Sequence, residues 1–131
     1  MCIRDRSLIV SLILLTFFFS CTTNLPKIDG MDYKKWKTDN YGCEGERMNL
    51  VGLIHENKDK FLRFNQNQLI DILGKPDNQT LYTRGQTIFY YYIKYHQKCE
   101  NTETRNDEEN IKLEIRFDAL NRSKEVYVHN Y

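Results

Sequence analysis

The stretch IKLEIRFDALNRSKEVYV, residues 111–128, holds the most regular pattern in the chain. Its first half alternates apolar with charged residues up to Phe117, and its second half places Val126 and Val128 two residues apart. This alternation is typical of strands with one buried face and one face in water. Turn-forming residues fill 118–123 between the two halves, so the stretch predicts two antiparallel strands joined by a turn.

A hairpin is predicted before these two strands. Residues 80–83 and 87–95 are rich in threonine and aromatic side chains, and they flank the short turn Arg84-Gly85-Gln86. The four segments together predict an antiparallel sheet of three or four strands. The polar and acidic run 96–110 that interrupts them predicts a solvated loop.

Two N-terminal helices are predicted to precede the sheet. The first spans about residues 44–60, where apolar residues recur at helical spacing. The second spans about 66–73, with Asn65 as N-cap and Gly-Lys-Pro as the stop. Packing both helices on one face of the sheet gives an α+β two-layer sandwich. We expect Trp36 and Tyr41 to lie under the first helix, and the alternative is that they rim a binding surface.

The opposite sheet face is predicted to be open, with a mixed aromatic and charged surface that is a candidate contact site for another protein. The pattern does not decide which of the three consecutive tyrosines at 90–92 lie on this face. In the plainer alternative, Phe89, Tyr91 and Ile93 serve the core and their neighbours merely fit a half-exposed strand. The residues predicted for the contact face are Tyr90, Tyr92, Lys112, Glu114, Arg116, Tyr127 and His129.

The N-terminal segment has the features of an export signal. Residues 7–20 are almost wholly apolar and follow Arg4 and Arg6, but they are fewer than the ~20 that span a bilayer. The sequence Phe-Phe-Ser before Cys21 resembles a bacterial lipobox, whose cysteine is acylated. We therefore expect a lipoprotein signal peptide at 1–20 and a lipid bilayer anchor at Cys21.

A tether and a single domain are expected to follow the anchor. The tether covers 21–32, which contains Pro and Gly without an apolar period, and the domain covers 33–131. Thr22 and Thr23 offer no acidic retention signal, which favours the outer membrane with the domain facing the periplasm. Residues 1–6 look like translated adapter sequence, in which case the natural start lies elsewhere.

Charge and motifs argue against several function classes. Nineteen basic and 18 acidic residues give a formal net charge of +1, so no broad field favours nucleic acid. The chain has no phosphate-cradling glycine pattern, no serine elbow and no H-E-x-x-H motif. We therefore expect no nucleic-acid partner, no cofactor, no metal and no enzymatic activity.

Two cysteines remain after Cys21 in the expected mature chain, Cys43 and Cys99. An oxidising periplasm favours a disulfide between them, and its loop closure would stabilise the fold by ~4 kcal/mol. One alternative places both cysteines with His96 around zinc, although one H-x-x-C spacing lacks the second closely spaced ligand pair of structural zinc sites. A Cys/His nucleophile is a further alternative.

The order of these features resembles a known family. The lipobox, the segment WKTDNYGC at 36–43, ILGKPD at 72–77 and the strand LEIRFD at 113–118 are similar to SmpA/OmlA (BamE-like) small lipoproteins. The resemblance implies a fold like that of β-lactamase-inhibitor proteins and a binding role at the outer membrane. The cysteine pair and the acidic loop depart from the BamE pattern.

The function expected from the sequence is therefore binding of an unidentified envelope protein, in outer-membrane assembly or maintenance. One alternative is a periplasmic inhibitor of a hydrolase of the β-lactamase or lysozyme type, acting through the same face. The other is a small metal-dependent enzyme, which requires Cys43 and Cys99 as free thiols.

Overall fold

The computed structural model describes residues 24–94, 99 and 111–131. This part of the chain is an α+β domain with a four-stranded antiparallel sheet, which confirms the predicted fold class. The elements in chain order are helices α1 (Tyr33–Thr38), α2 (Glu46–Glu56) and α3 (Gln66–Leu73), then strands β1 (Asn78–Tyr82), β2 (Gln86–Tyr92), β3 (Lys112–Phe117) and β4 (Ser123–His129).

The sheet is a meander in which each strand pairs with the next one along the chain, in the order β1-β2-β3-β4. Alternate residues of β2, β3 and β4 point to the same side as the helices and form one core with them. The sheet contributes Phe89, Tyr91, Leu113, Ile115, Phe117 and Val126, and the helical segments contribute Trp36, Leu50, Val51, Ile54, Phe61, Leu69, Ile72 and Leu73.

Helix α3 begins and ends where the sequence predicts. The Asn65 side chain accepts a hydrogen bond from the Gln68 N–H at 2.8 Å, and the Gln68 side chain accepts one from the Asn65 N–H at 2.9 Å. This reciprocal capping box satisfies two N–H groups that the helix itself leaves unpaired. Gly74, at φ 82°, ends the helix in a conformation that suits glycine.

Helix α2 is shorter than predicted, and its N-terminus is capped by a side chain from an earlier segment of the chain. The buried carboxylate of Asp39 accepts hydrogen bonds from the N–H groups of Glu44 and Arg47, both at 2.8 Å. The helix therefore starts only after the chain has turned through Gly45, at φ 78°. After Glu56 the predicted helix continues as a separate 3₁₀ segment, Lys58–Phe61.

Helix α1 is not among the elements predicted from the sequence. It has six residues, of which only Trp36 is buried, so it carries no apolar period to detect. The Asp32 side chain caps it by accepting from the Lys35 N–H at 3.1 Å. Burial of Trp36 agrees with the expected position under the first predicted helix, whereas Tyr41 lies elsewhere, as described below.

Part of the expected tether packs on the domain. Ile28 belongs to the core, the Tyr33 hydroxyl donates to the Pro26 carbonyl at 2.6 Å, and the Lys60 ammonium donates to the Lys27 carbonyl at 2.8 Å. A free tether can therefore comprise only the residues before this contact. The predicted signal peptide (1–20), Cys21 and the acidic loop apart from Cys99 lie outside the described residues. Within those residues, no helix is long and apolar enough to cross a bilayer.

Candidate protein-binding face

The strand register places the predicted contact residues on one side of the sheet. Three rows of cross-strand neighbours run over β2, β3 and β4 on the side away from the helices. The rows are Ile88, Arg116 and Glu125; Tyr90, Glu114 and Tyr127; and Tyr92, Lys112 and His129. The register settles the parity of the tyrosine run, since Tyr91 lies in the core and its two neighbours point away from it.

The charged side chains of this face are held by rings and by each other. The ammonium of Lys112 lies 5.2 Å from the ring centre of Tyr90, and the guanidinium of Arg116 lies 5.7 Å from that of Tyr127. Such contacts between cations and aromatic faces contribute roughly 0.5–1 kcal/mol at exposed sites. The cations therefore keep defined positions while they remain accessible.

Glu114 connects two of the basic side chains of this face. One of its oxygens accepts a hydrogen bond from Nε of Arg116 at 2.5 Å, and the other lies 2.7 Å from Nε2 of His129. The hydrogen bond to Glu114 raises the pKa of Arg116 above its ordinary value. A second carboxylate, Glu125, lies 3.8 Å from Nη1 of Arg116. Positive and negative groups thus alternate, and the face has no large single-sign patch.

The accessible part of the face is smaller than the sequence predicts. Tyr92 and Glu114 are only 5% and 4% exposed, so neither offers a contact surface. The ring of Tyr41 stacks on Tyr92 with 6.1 Å between centres and 17° between planes. Tyr41 therefore covers the sheet's outer face instead of packing under α2. Tyr127 and the side chain of Arg116 remain 41% and 46% exposed.

A buried ionic cluster, which is not predicted from the sequence, supports the sheet at the end of β2. Arg47, fully buried at the start of α2, donates from Nη1 to Asp77 at 2.5 Å and to the Tyr92 carbonyl at 2.9 Å. Asp77 also accepts from the N–H groups of Tyr41, at 3.1 Å, and Tyr92, at 2.8 Å. The cluster thereby joins α2 to the end of β2 and places Tyr41 against Tyr92. Nothing in an isolated Arg and an Asp 30 positions later indicates this pairing.

The arginine of this cluster lies between two rings. Its guanidinium carbon is 5.3 Å from the ring centre of Trp36 and 5.5 Å from that of Tyr91, and Nε donates to the Trp36 carbonyl at 3.1 Å. Burial raises the pKa of Tyr91, whose hydroxyl donates to the Gly74 carbonyl at 2.8 Å. We interpret this fully buried guanidinium, held by two rings and by backbone and carboxylate acceptors, as a structural group.

Cys43 and Cys99 form a disulfide, with 5.6 Å between their Cα atoms. The bond joins the segment before α2 to a residue beyond β2. The cysteines are therefore not available as zinc ligands or as a nucleophile, and His96 lies outside the described residues. Within those residues, no group of three or more His, Cys, Asp or Glu side chains could hold a metal ion.

Comparison of the chain with protein-family models, with curated proteins and with solved structures finds no match in any of the three.

Proposed function

We propose that the chain is a non-enzymatic outer-membrane lipoprotein, anchored through acylated Cys21, whose periplasmic domain binds another envelope protein. The observation that carries the binding proposal is the outer sheet face. There the half-buried Lys112 and the exposed Arg116 are already held at aromatic rings before any partner arrives.

This arrangement lowers the entropic cost of binding. Ordering a long side chain at an interface costs about 0.5–1.5 kcal/mol, and a cation already fixed over a ring loses less. Tyrosine and arginine are also the residue types that most often dominate interface energies. The accessible side chains of Arg116 and Glu125 carry opposite charges, which favours a protein partner of mixed charge over a polyanion.

The resemblance to SmpA/OmlA (BamE-like) lipoproteins supports a partner in outer-membrane assembly or maintenance. It also supports the lipid anchor, which holds the domain next to proteins of the same membrane. Two or more acyl chains on one cysteine give stable attachment, whereas a single chain gives only reversible binding.

The anchor is tested by intact mass spectrometry of protein expressed with its own leader in a Gram-negative host. The proposal predicts a mass for the chain beginning at an acylated Cys21, with two further thiols appearing only after reduction. An unmodified Cys21 contradicts the lipid anchor but does not bear on the proposal for the binding face.

The binding face is tested by the size of the complex extracted from the envelope in mild detergent. The variant Arg116→Ala/Tyr127→Ala should run as a smaller species than the native chain. Met48→Ala, a matched exposed change on α2, should leave the size unchanged. Equal sizes for all three proteins contradict binding through this face.

The hydrolase-inhibitor alternative is retained because of the β1–β2 hairpin. All five residues of β1 are exposed, and Leu81 and Tyr82 are 81% and 58% exposed at its tip. A protruding apolar tip suits insertion into an enzyme cleft. Stoichiometric inhibition of a β-lactamase or a lysozyme by the purified protein, lost in Leu81→Ala/Tyr82→Ala, would favour this alternative. Because Cys43 and Cys99 are bonded to each other, they do not supply the free thiols that the metal-dependent enzyme requires. We therefore do not propose that alternative.

A further inference from the structure

A groove of about 440 Å³ lies apart from the binding face, where the segment after Lys58–Phe61 meets the β3–β4 turn. Its volume falls within the ~300–1,000 Å³ of typical small-molecule sites. The lining residues are Leu62, Arg63, Asp118, Arg122, Ser123 and Lys124.

The two walls of the groove are fixed to each other through Ser123. Its hydroxyl donates to the Phe61 carbonyl at 2.7 Å and accepts from the Phe64 N–H at 2.9 Å. Its carbonyl accepts from the Arg63 N–H, and its own N–H donates to the Phe64 carbonyl, both at 2.8 Å. Four hydrogen bonds thus hold the groove open in one shape, independently of any ligand.

Arg63 occupies a costly backbone conformation in this wall. Its φ is 71°, in the left-handed region that disfavours residues with a Cβ by roughly 1–2 kcal/mol. Glycine or asparagine would serve the same turn with less strain. Residues held in this way occur frequently at ligand sites, where the surrounding structure over-determines the conformation.

The charge of the groove is strongly one-sided. The lining includes three exposed cationic residues, Arg63, Arg122 and Lys124, and one carboxylate, Asp118, which lies 3.8 Å from the Arg122 guanidinium. Within the described part of the chain, Arg63 and Lys124 have no carboxylate partner. The residues that line the groove therefore carry a net charge of +2, from three cations and one carboxylate.

We propose that this groove binds a phosphate monoester. Such a group carries about −1.5 to −2 charges at pH 7, which matches the net charge of the lining residues, and guanidinium forks bind its oxygens bidentately. A carboxylate brings only one charge. Leu62 provides an apolar wall for the carbon skeleton that carries the phosphate. This proposal does not depend on the lipid anchor or on the binding face.

The test is an NMR titration of the ¹⁵N-labelled full chain in detergent micelles, at constant ionic strength. The probes are inorganic phosphate, phenyl phosphate and benzoate. Saturable shifts are expected at the amides of 62–63 and 122–124 for both phosphates, with phenyl phosphate the tighter. Benzoate should bind at least about tenfold more weakly, and equal affinity for benzoate and phenyl phosphate overturns the phosphate assignment.

Two matched variants separate the site from the fold. Arg63→Gly keeps the left-handed turn and should weaken the binding of phenyl phosphate by about tenfold or more. Arg84→Gly makes the same change at a left-handed arginine in the distant hairpin turn, φ 62°, and should leave affinity unchanged. Lys124→Gln, exposed on the rim, should also weaken binding. Shifts that do not saturate, or equal affinities of Arg63→Gly and Arg84→Gly, refute the proposal.

Discussion

Replacing Arg47 with methionine tests the buried cluster. The native guanidinium lies beside Asp77, and the two side chains are 0% and 2% exposed. In Arg47→Met the Asp77 carboxylate keeps the N–H groups of Tyr41 and Tyr92 but loses its buried cation. The carbonyls of Trp36 and Tyr92 also lose a donor.

The expected loss in the free energy of unfolding is about 3–5 kcal/mol, the usual cost of removing one partner of a buried pair. This is a large fraction of the ~5–15 kcal/mol that typically stabilises a domain. Asp77→Asn should cost a similar amount, because it leaves the guanidinium uncompensated. The double variant should cost less than the sum of the two by about 2 kcal/mol or more, since neither charge is then left alone.

Urea denaturation followed by tryptophan fluorescence measures these values. Trp36 is the only tryptophan and is fully buried, so its emission reports the loss of the core. Lys35→Met is the control, because its pair with Glu46 spans 3.9 Å between side chains that are 57% and 35% exposed. It should cost less than ~1 kcal/mol. Additive effects in the double variant, or a loss at Arg47 no larger than at Lys35, would refute the reasoning.

Three further predictions concern stability. Reducing the Cys43–Cys99 disulfide should lower the free energy of unfolding by about 4 kcal/mol in the loop-entropy description. An unchanged urea midpoint after reduction would show that the disulfide does not stabilise the fold. Burial raises the pKa of Tyr91 in the folded protein, so with rising pH the unfolded chain loses this proton at a lower pH than the folded one. The free energy of unfolding should therefore fall as the pH rises above ~10, by up to ~1.4 kcal/mol per pH unit. Tyr91→Phe should flatten that slope, whereas Tyr82→Phe, at an exposed position, should not; thermal melts between pH 9 and 12 compare them. Ser123→Ala removes the side-chain partner of the buried Phe61 carbonyl and of the half-buried Phe64 N–H, and it should cost about 2–3 kcal/mol by urea titration. A loss below ~0.5 kcal/mol would show that these two hydrogen bonds contribute little.

The sheet and helix α3 were predictable because their signals are local. Alternation over 111–117 predicts which side chains of β3 point into the core, although Glu114 on the other face is also buried. The cap at Asn65 and the stop at Gly74 define where α3 begins and ends. The pairing of cysteines was predictable for a different reason. Only two remained in the expected mature chain, so their connectivity had a single solution.

The remainder depends on contacts between residues far apart in the chain. Helix α1 has no period of its own, and α2 starts late because Asp39 caps it across a turn. Burial of Tyr92 depends on Tyr41 reaching the outer face, which follows from the hydrogen bond between the Tyr41 N–H and Asp77. The register places the residues predicted for the contact face on one side of the sheet, whereas the area of that face that is accessible depends on these tertiary contacts.

Binding of an envelope protein by the outer face of the sheet is tested most directly by site-specific photo-crosslinking in living cells. A photoreactive residue is placed at Tyr127 or Arg116 on the face, and at Met48 on α2 as a control with similar exposure. Binding through this face predicts one discrete crosslinked species from both face positions and none from Met48. Crosslinks of equal yield from all three positions, or only from Met48, would contradict it.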